Sequence, residues 1–125
     1  MKSTIKAIVL GLGLGLFAGG AQAIDCPTLK NVATHIAQKH LDVRDTIENN
    51  IVAAARETIA LNMKDGEALA YIGLSGHLYK LAYAHPGQYP VDVFYNSCQV
   101  AGAELTTLGL IGEGNAWAEK FRQQK

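Results

Sequence analysis

The sequence has no excess of charge of either sign, since its 125 residues include 11 Lys and Arg residues and 11 Asp and Glu residues. Proteins that bind nucleic acid or an anionic membrane surface need a basic excess, so the charge balance disfavours both classes of partner. Sustained alternation of polar and apolar residues is also missing, which disfavours β-strands. The apolar residues recur instead at intervals of three and four, which is the period of an α-helix.

Catalytic and metal-binding patterns are missing as well. The sequence has four histidines, and no two of them have the i,i+3 or i,i+4 spacing that places two metal ligands on one helix face. They are His35, His40, His77 and His85. The Gly-Leu-Ser-Gly segment at 73–76 lacks the G-x-S-x-G pattern of a nucleophilic serine and follows no predicted strand. We therefore expect a protein that is not an enzyme and that binds no metal and no other cofactor.

The first 23 residues have the three-part layout of a secretory signal peptide. Lys2 and Lys6 provide a basic start, an uncharged run extends over 7–20, and Ala-Gln-Ala at 21–23 matches an A-x-A cleavage site. The run would span roughly 21 Å as a helix, less than the ~30 Å of a hydrocarbon core. We expect cleavage after Ala23, no stable membrane insertion afterwards, and a single helical domain over 24–125. An uncleaved N-terminal membrane helix is the alternative.

Cys26 and Cys98 are the two cysteines of the sequence. In a chain exported to an oxidising compartment, we expect them to form one intramolecular disulfide. A redox-active thiol pair is the competing interpretation, but such pairs usually have C-x-x-C spacing beside a βαβ unit. Both cysteines lie on apolar stripes, so the bond should connect the start of the first helix to the middle of the fourth.

We predict an all-α fold, a small bundle of four helices plus a short C-terminal fifth, closed by this disulfide. The predicted helices cover about 27–41, 44–63, 68–84 and 91–108, followed by a short helix after Asn115. Asp42 or Asp45 is the predicted cap of the second helix. The third is apolar on almost every side, as expected of a central helix. Its glycines, Gly73 and Gly76, are expected to permit close approach of another helix or to bend the chain.

Two predicted loops are the candidate binding segments, because loops carry recognition more often than scaffold helices do. One covers residues 85–90 and contains Pro86, Gly87 and Pro90, and the other is the Gly-rich stretch 109–114. From these two segments we predict contact with a protein partner through four residues, namely His85, Gln88, Tyr89 and Glu113.

The combination of a signal sequence, a compact helical body and a disulfide between Cys26 and Cys98 resembles several small periplasmic families. They are the acid-stress chaperones of the enteric periplasm, the immunity proteins that neutralise delivered cell-wall toxins, and phage-encoded periplasmic lysozyme inhibitors. This resemblance of architecture implies a periplasmic or secreted protein that binds and neutralises another protein. An acid-stress chaperone is one alternative function, and a small-molecule or lipid carrier with a cavity around the third helix is another.

Overall fold

The computed structural model of this protein describes residues 24–124, which contain five α-helices and no strand. In chain order the helices are α1 (Cys26–Lys39), α2 (Ile47–Ala60), α3 (Asp65–Ala84), α4 (Pro90–Ala101) and α5 (Ala103–Gln123). The predicted all-α bundle closed by a disulfide is confirmed. The predicted signal peptide, residues 1–23, lies outside the described residues and stays a prediction.

The first two helices begin at side-chain caps. Asp25 accepts a hydrogen bond from the backbone N–H of Thr28 at 2.8 Å, and its hydrogen bonds with Thr28 lower the pKa of the Asp25 carboxyl. Thr46 caps α2 in the same way, accepting from the N–H of Asn49 at 3.0 Å. The predicted caps Asp42 and Asp45 are therefore wrong, and α2 begins at Ile47 rather than near residue 44.

The turn before α2 is held by the buried side chain of Asn50. Its Oδ1 accepts from the N–H of Asp42 at 2.8 Å, and its Nδ2 donates to the carbonyl oxygens of Asp42 and Thr46 at 2.9 and 2.8 Å. From α3, the Tyr79 hydroxyl donates to the carbonyl oxygen of Asp45 at 2.6 Å. These bonds satisfy backbone groups that a helix over 42–46 would otherwise use, which explains the later start of α2.

Helix α3 is the centre of the bundle, as the sequence predicted. It packs against all four other helices and most extensively against α5. Its residues Tyr71, Leu74 and Leu78 are almost fully buried in the main apolar cluster of the described residues. Members of this cluster on the other helices include Leu29, Ile36, Ala54, Val91, Phe94 and Leu110.

Helices α3 and α5 meet backbone to backbone at two glycines. A Cβ atom on Gly73 would collide with the carbonyl oxygen of Leu110 and lie 2.9 Å from the backbone N of Gly114. A Cβ on Gly114 would collide with the carbonyl oxygen of Leu69. One turn along α3, a Cβ on Gly76 would lie 2.8 Å from the Trp117 indole nitrogen. The predicted close approach at the α3 glycines is confirmed, and its partner is α5.

The C-terminal third of the chain is divided differently from the prediction. Helix α4 ends at Ala101 rather than near residue 108, because Gly102 has φ +98° and ψ 148°, a conformation open essentially to glycine alone. Helix α5 then continues through the predicted loop 109–114 and has 21 residues, so the C-terminal helix is long rather than short. The glycines of the stretch 109–114 predict a loop, yet Gly114 lies buried inside the α3–α5 contact.

The predicted disulfide between Cys26 and Cys98 is confirmed, with 5.9 Å between the two Cα atoms. It joins the first turn of α1 to the last turn of α4, because α4 is shorter than predicted. Next to it, Ile24 is held on α5, since its N–H donates to the Thr107 hydroxyl at 3.1 Å. The N-terminal end of the described chain is thus fixed to both α4 and α5.

Candidate functional site

The four predicted partner-binding residues lie in two different settings. His85, Gln88 and Tyr89 belong to the connection between α3 and α4, and all three are exposed. Glu113 is half-buried in the middle of α5 rather than in a loop. It lines a cleft to which the other three do not contribute. The sequence-based prediction therefore included one residue of this cleft, Glu113. It placed Glu113 in a loop, whereas the structure places it inside a helix.

The cleft lies between α3, α4 and α5, is half open to solvent, and has a volume of about 140 Å³. We call it the α3–α5 cleft. Helix α3 contributes one residue, His77, and each of the other two helices contributes several. They are Phe94, Ser97 and Cys98 from α4, and Leu105, Thr106, Gly109, Leu110 and Glu113 from α5.

His77 and Glu113 form the polar part of the α3–α5 cleft. His77 Nδ1 lies 3.3 Å from Glu113 Oε2, and the imidazole packs edge-on against the ring of Phe94 with 5.9 Å between ring centroids. The second carboxylate oxygen, Oε1 of Glu113, is shielded from solvent and has no hydrogen-bond partner among the described residues. The Glu113 carboxylate therefore has one oxygen beside His77 and one that is shielded from solvent.

The same cleft contains a serine, but the described residues do not form a nucleophilic site. A Ser-His-acid triad needs the hydroxyl within hydrogen-bond reach of the imidazole. No hydrogen bond joins Ser97 to His77 in the described part of the chain. Within residues 24–124, no three His, Cys, Asp or Glu side chains come together as metal ligands would.

Exposed apolar side chains surround the junction of α4 and α5. Val100, in the last turn of α4, is 90% exposed, and Leu105, in the first turn of α5, is 68% exposed. Leu108, three residues further along α5, is 49% exposed. Leu105 also lines the α3–α5 cleft, so the apolar surface continues into it. We call these three residues the junction patch.

The stretch of the chain that forms α4 and most of α5 contributes no basic residue of its own. No Lys or Arg occurs between Lys80 and Lys120, a stretch that includes all of α4 and most of α5. Four carboxylates lie in it, namely Asp92, Glu104, Glu113 and Glu119. This stretch of the chain therefore has an excess of carboxylates, although Lys30 of α1 lies over the Tyr95 ring of α4, 4.7 Å from its centroid.

A second group of titratable residues lies between α1, α2 and α3. His40 Nε2 lies 3.2 Å from the Tyr71 hydroxyl oxygen, and His35 Nε2 lies 3.3 Å from Glu57 Oε2. We call these four residues the His40 cluster. Burial lowers the pKa of His40, against the opposing influence of the Glu57 charge. Burial also raises the pKa of Tyr71, and His40 Nδ1 is buried without a hydrogen-bond partner among residues 24–124.

No known protein family matches the sequence, and neither a curated protein nor a solved structure is significantly similar to it. Among residues 24–124, no helix combines the length and the apolar character needed to span a bilayer.

Little in the sequence indicates this site. His77 has no second histidine at metal-ligand spacing, and Ser97 and Leu105 belong to no motif. His77 and Glu113 come together because the α3 and α5 backbones touch at Gly73 and Gly114. The paired glycines were the available signal, since a glycine inside an apolar helix often marks the closest approach of a second helix.

Proposed function

We propose that the mature chain is a periplasmic or secreted protein that binds another protein stoichiometrically and neutralises it, without catalysing a reaction. The observation that carries the proposal is the junction patch, in which Val100, Leu105 and Leu108 expose apolar side chains on adjoining turns. A compact domain gains nothing for its own stability from such exposure, and grouped exposed apolar residues often mark interaction sites. The disulfide is compatible with an oxidising compartment.

The dimensions of this face suit a protein partner. Helix α4 has 12 residues and is therefore about 18 Å long. The junction patch lies at its C-terminal end, and the predicted binding residue Tyr89, 48% exposed, precedes its first residue. A standard interface covers about 800 Å² on each partner, enough to include both ends of α4. The α3–α5 cleft, at about 140 Å³, is well below the ~300 Å³ at which small-molecule sites begin, so it lends the carrier alternative little support.

The junction patch can be tested with the double variant Val100→Asp/Leu105→Asp. Charges placed at the centre of an apolar contact must be desolvated on binding, so we expect partner affinity to fall about 10- to 100-fold. Immobilised wild type and variant would be exposed to periplasmic extract, and captured proteins quantified by mass spectrometry. The activity of the enriched partner would then be assayed with each form bound.

The matched control is Ile59→Asp, which places the same charge at an apolar residue that is 79% exposed but lies at the end of α2. This control should capture and inhibit the same partner as the wild type does. Equal loss of capture in both variants would contradict a role for the junction patch, and so would full inhibition by Val100→Asp/Leu105→Asp.

The His40 cluster favours one second candidate, an acid-stress chaperone. Such a protein must loosen its structure when the pH falls. His40 is partly buried against Tyr71 of α3, within the electrostatic influence of Glu57 on α2 and of His35 and Lys39 on its own helix. Because burial lowers the pKa of His40, the unfolded chain takes up a proton at a higher pH than the folded chain does. Acid therefore favours opening of the contact between α1, α2 and α3.

This candidate predicts that His40→Gln reduces the acid sensitivity of folding. In the wild type, the His40 contribution to the free energy of unfolding should fall as the pH drops below about 6.5, and level off below the folded-state pKa. One group changes stability by at most about 1.4 kcal/mol per pH unit. Urea denaturation between pH 7.5 and 4.5 would measure the slope, which should be smaller in His40→Gln because the amide cannot titrate.

His85→Gln is the matched control, because His85 is exposed in the α3–α4 connection, and it should keep the wild-type slope. Equal slopes in His40→Gln and the wild type would remove the acid-sensing role of the cluster. Suppression of client aggregation at pH 3 by the wild type would favour the chaperone over the neutralising protein, whereas a compact and inert protein at that pH would favour the latter.

A further inference from the structure

Helix α5 has an outer face that no other described element covers. The helix packs mainly on α3 and less extensively on α4. Its exposed residues recur at intervals of three and four, so they form one continuous face on the side away from α3. We call it the α5 outer face. Between positions 105 and 116 it consists of Leu105, Leu108, Gly109, Gly112, Asn115 and Ala116.

The middle of the α5 outer face has no charge and is open down to the backbone. The outward face of a surface helix normally has charged side chains, but here Leu105 is 68% and Leu108 is 49% exposed. A Cβ on Gly109 or on Gly112 would meet no atom within 4 Å. A second helix can therefore approach this face as closely as α3 approaches the opposite face at Gly114.

The charges of the α5 outer face lie at its two ends and have opposite signs. Glu104 is in the first turn, and Lys120 and Arg122 are in the last. Glu104 and Arg122 are 18 residues apart, about five turns of 3.6 residues, so they lie on the same edge of the face. Arg122 pairs with Glu119 of its own chain, but a guanidinium has five N–H donors and can serve a second carboxylate. Lys120 lies on the other edge and pairs with Glu48 of α2 at 3.3 Å.

This pattern is self-complementary when two copies of α5 pack antiparallel. A two-fold axis perpendicular to the helices near Gly112 places Glu104 of each copy opposite Arg122 of the other. The same axis brings Leu108 of each copy against the small residues Gly112 and Ala116 of the other. The helix dipoles then also oppose each other favourably. A parallel pair would instead place like charges side by side, so the charge pattern selects the antiparallel arrangement.

We infer that the α5 outer face binds a second copy of this chain, in a two-fold symmetric dimer with antiparallel α5 helices. The inference goes beyond the proposed function and stands without it. Leu105 and Leu108 belong to the junction patch as well, so the proposed neutralising complex forms from the monomer.

The size of the face sets the strength of the dimer. Helix α5 has 21 residues, so a strip about 31 Å long and about 10 Å wide covers roughly 300 Å² on each copy. This is less than half of the ~800 Å² of a standard interface. The dimer is therefore weak and reversible, and its dissociation constant should be on the order of 100 µM.

Sedimentation equilibrium of the chain purified after export would test the dimer. Between about 10 µM and about 1 mM, the mean mass should rise from that of a monomer towards twice that value. Leu108→Asp should keep the chain monomeric over the same range, because the contact would have to desolvate the new charge. The matched control is Ile59→Asp, at a residue that is 79% exposed at the end of α2, and it should associate as the wild type does. Circular dichroism would verify the fold of each variant.

Charge reversal tests the antiparallel pairing itself. Glu104→Arg and Arg122→Glu each place like charges opposite one another at both ends of the dimer, so each alone should weaken self-association at least about tenfold. An equimolar mixture of the two variants pairs Arg with Glu again at both ends, and should recover the wild-type association. Asp92→Arg is the control, since it makes the same change of charge at an exposed carboxylate of α4, and it should leave association unchanged.

Three results would overturn the dimer. They are a wild type that stays monomeric at about 1 mM, unchanged association of Leu108→Asp, and a mixture of the charge variants that associates no better than either variant alone. A monomeric wild type that captures a different protein, and loses it in Leu108→Asp, would assign the α5 outer face to that protein and also overturn the dimer.

Discussion

The double variant Cys26→Ala/Cys98→Ala is expected to lose roughly 4 kcal/mol of unfolding free energy. The disulfide links positions 72 residues apart, so it removes many conformations from the unfolded chain, and the chain-entropy relation gives a loss of this size. For a domain whose total stability is typically 5–15 kcal/mol, this is a large fraction. The melting temperature should fall by about 15–30 °C for a chain of this size, as measured by circular dichroism.

The slope of a urea denaturation curve distinguishes the cross-link from the side chains that form it. Without the link the unfolded state expands and exposes more surface, so the m-value should increase in the double variant. Wild-type protein reduced with dithiothreitol should show the same loss of stability and the same rise in m, although its cysteine side chains are still present. A reduced wild type that melts at the temperature of the oxidised protein would contradict this account.

The parts of the fold that the sequence predicted are those fixed by local patterns. The apolar period of three and four located α1 to α4 and the C-terminal part of α5, because each helix buries a stripe in the core. With only Cys26 and Cys98 present, one pairing was possible, and export made it the expected one. The continuous apolar character of the third helix identified the centre of the bundle before any contact was known.

The errors in the predicted helix boundaries of the C-terminal third lie at glycines, because glycine has three different structural roles there. Gly102 ends α4 through a positive φ, Gly114 allows the α5 backbone to touch α3, and Gly112 meets nothing. The three residues are indistinguishable in the sequence. Only the tertiary environment shows which glycine ends a helix and which one allows two helices to touch. The stretch 109–114 was therefore predicted as a loop, whereas the real interruption is Gly102, within the segment predicted as helix.

The candidate site was predictable only in part, because local composition is visible in the sequence and contacts between helices are not. Tyr89 and its neighbours are exposed in a loop, as their Pro and Gly content indicates. The α3–α5 cleft depends instead on the pairing of His77 with Glu113 across two helices, and no spacing in the sequence encodes that pairing. The absence of basic residues between Lys80 and Lys120 was visible in the sequence. That α4 and the first part of α5 line one cleft is a tertiary feature that no local pattern in the sequence encodes.

The second large effect is expected from Gly73→Ala, which should destabilise the fold by about 3 kcal/mol. The new methyl group would collide with the carbonyl oxygen of Leu110, which is part of a helix backbone and cannot rotate away. Helices α3 and α5 would have to separate, and this is the most extensive helix contact in the described structure. Urea denaturation of the variant and the wild type at pH 7 would measure the difference.

Gly112→Ala on α5 is the control, because its expected change in unfolding free energy has the opposite sign. Gly112 lies within α5, but a Cβ there meets nothing, so Gly112→Ala should raise the unfolding free energy by up to about 1 kcal/mol through helix propensity alone. Gly114→Ala should destabilise as Gly73→Ala does, because its methyl group would collide with the carbonyl oxygen of Leu69 on α3. One separation of the two helices would relieve both collisions, so the double variant Gly73→Ala/Gly114→Ala should lose less than the sum of the single losses. Stabilisation by Gly73→Ala, or strictly additive losses, would mean that the two backbones do not touch at these glycines.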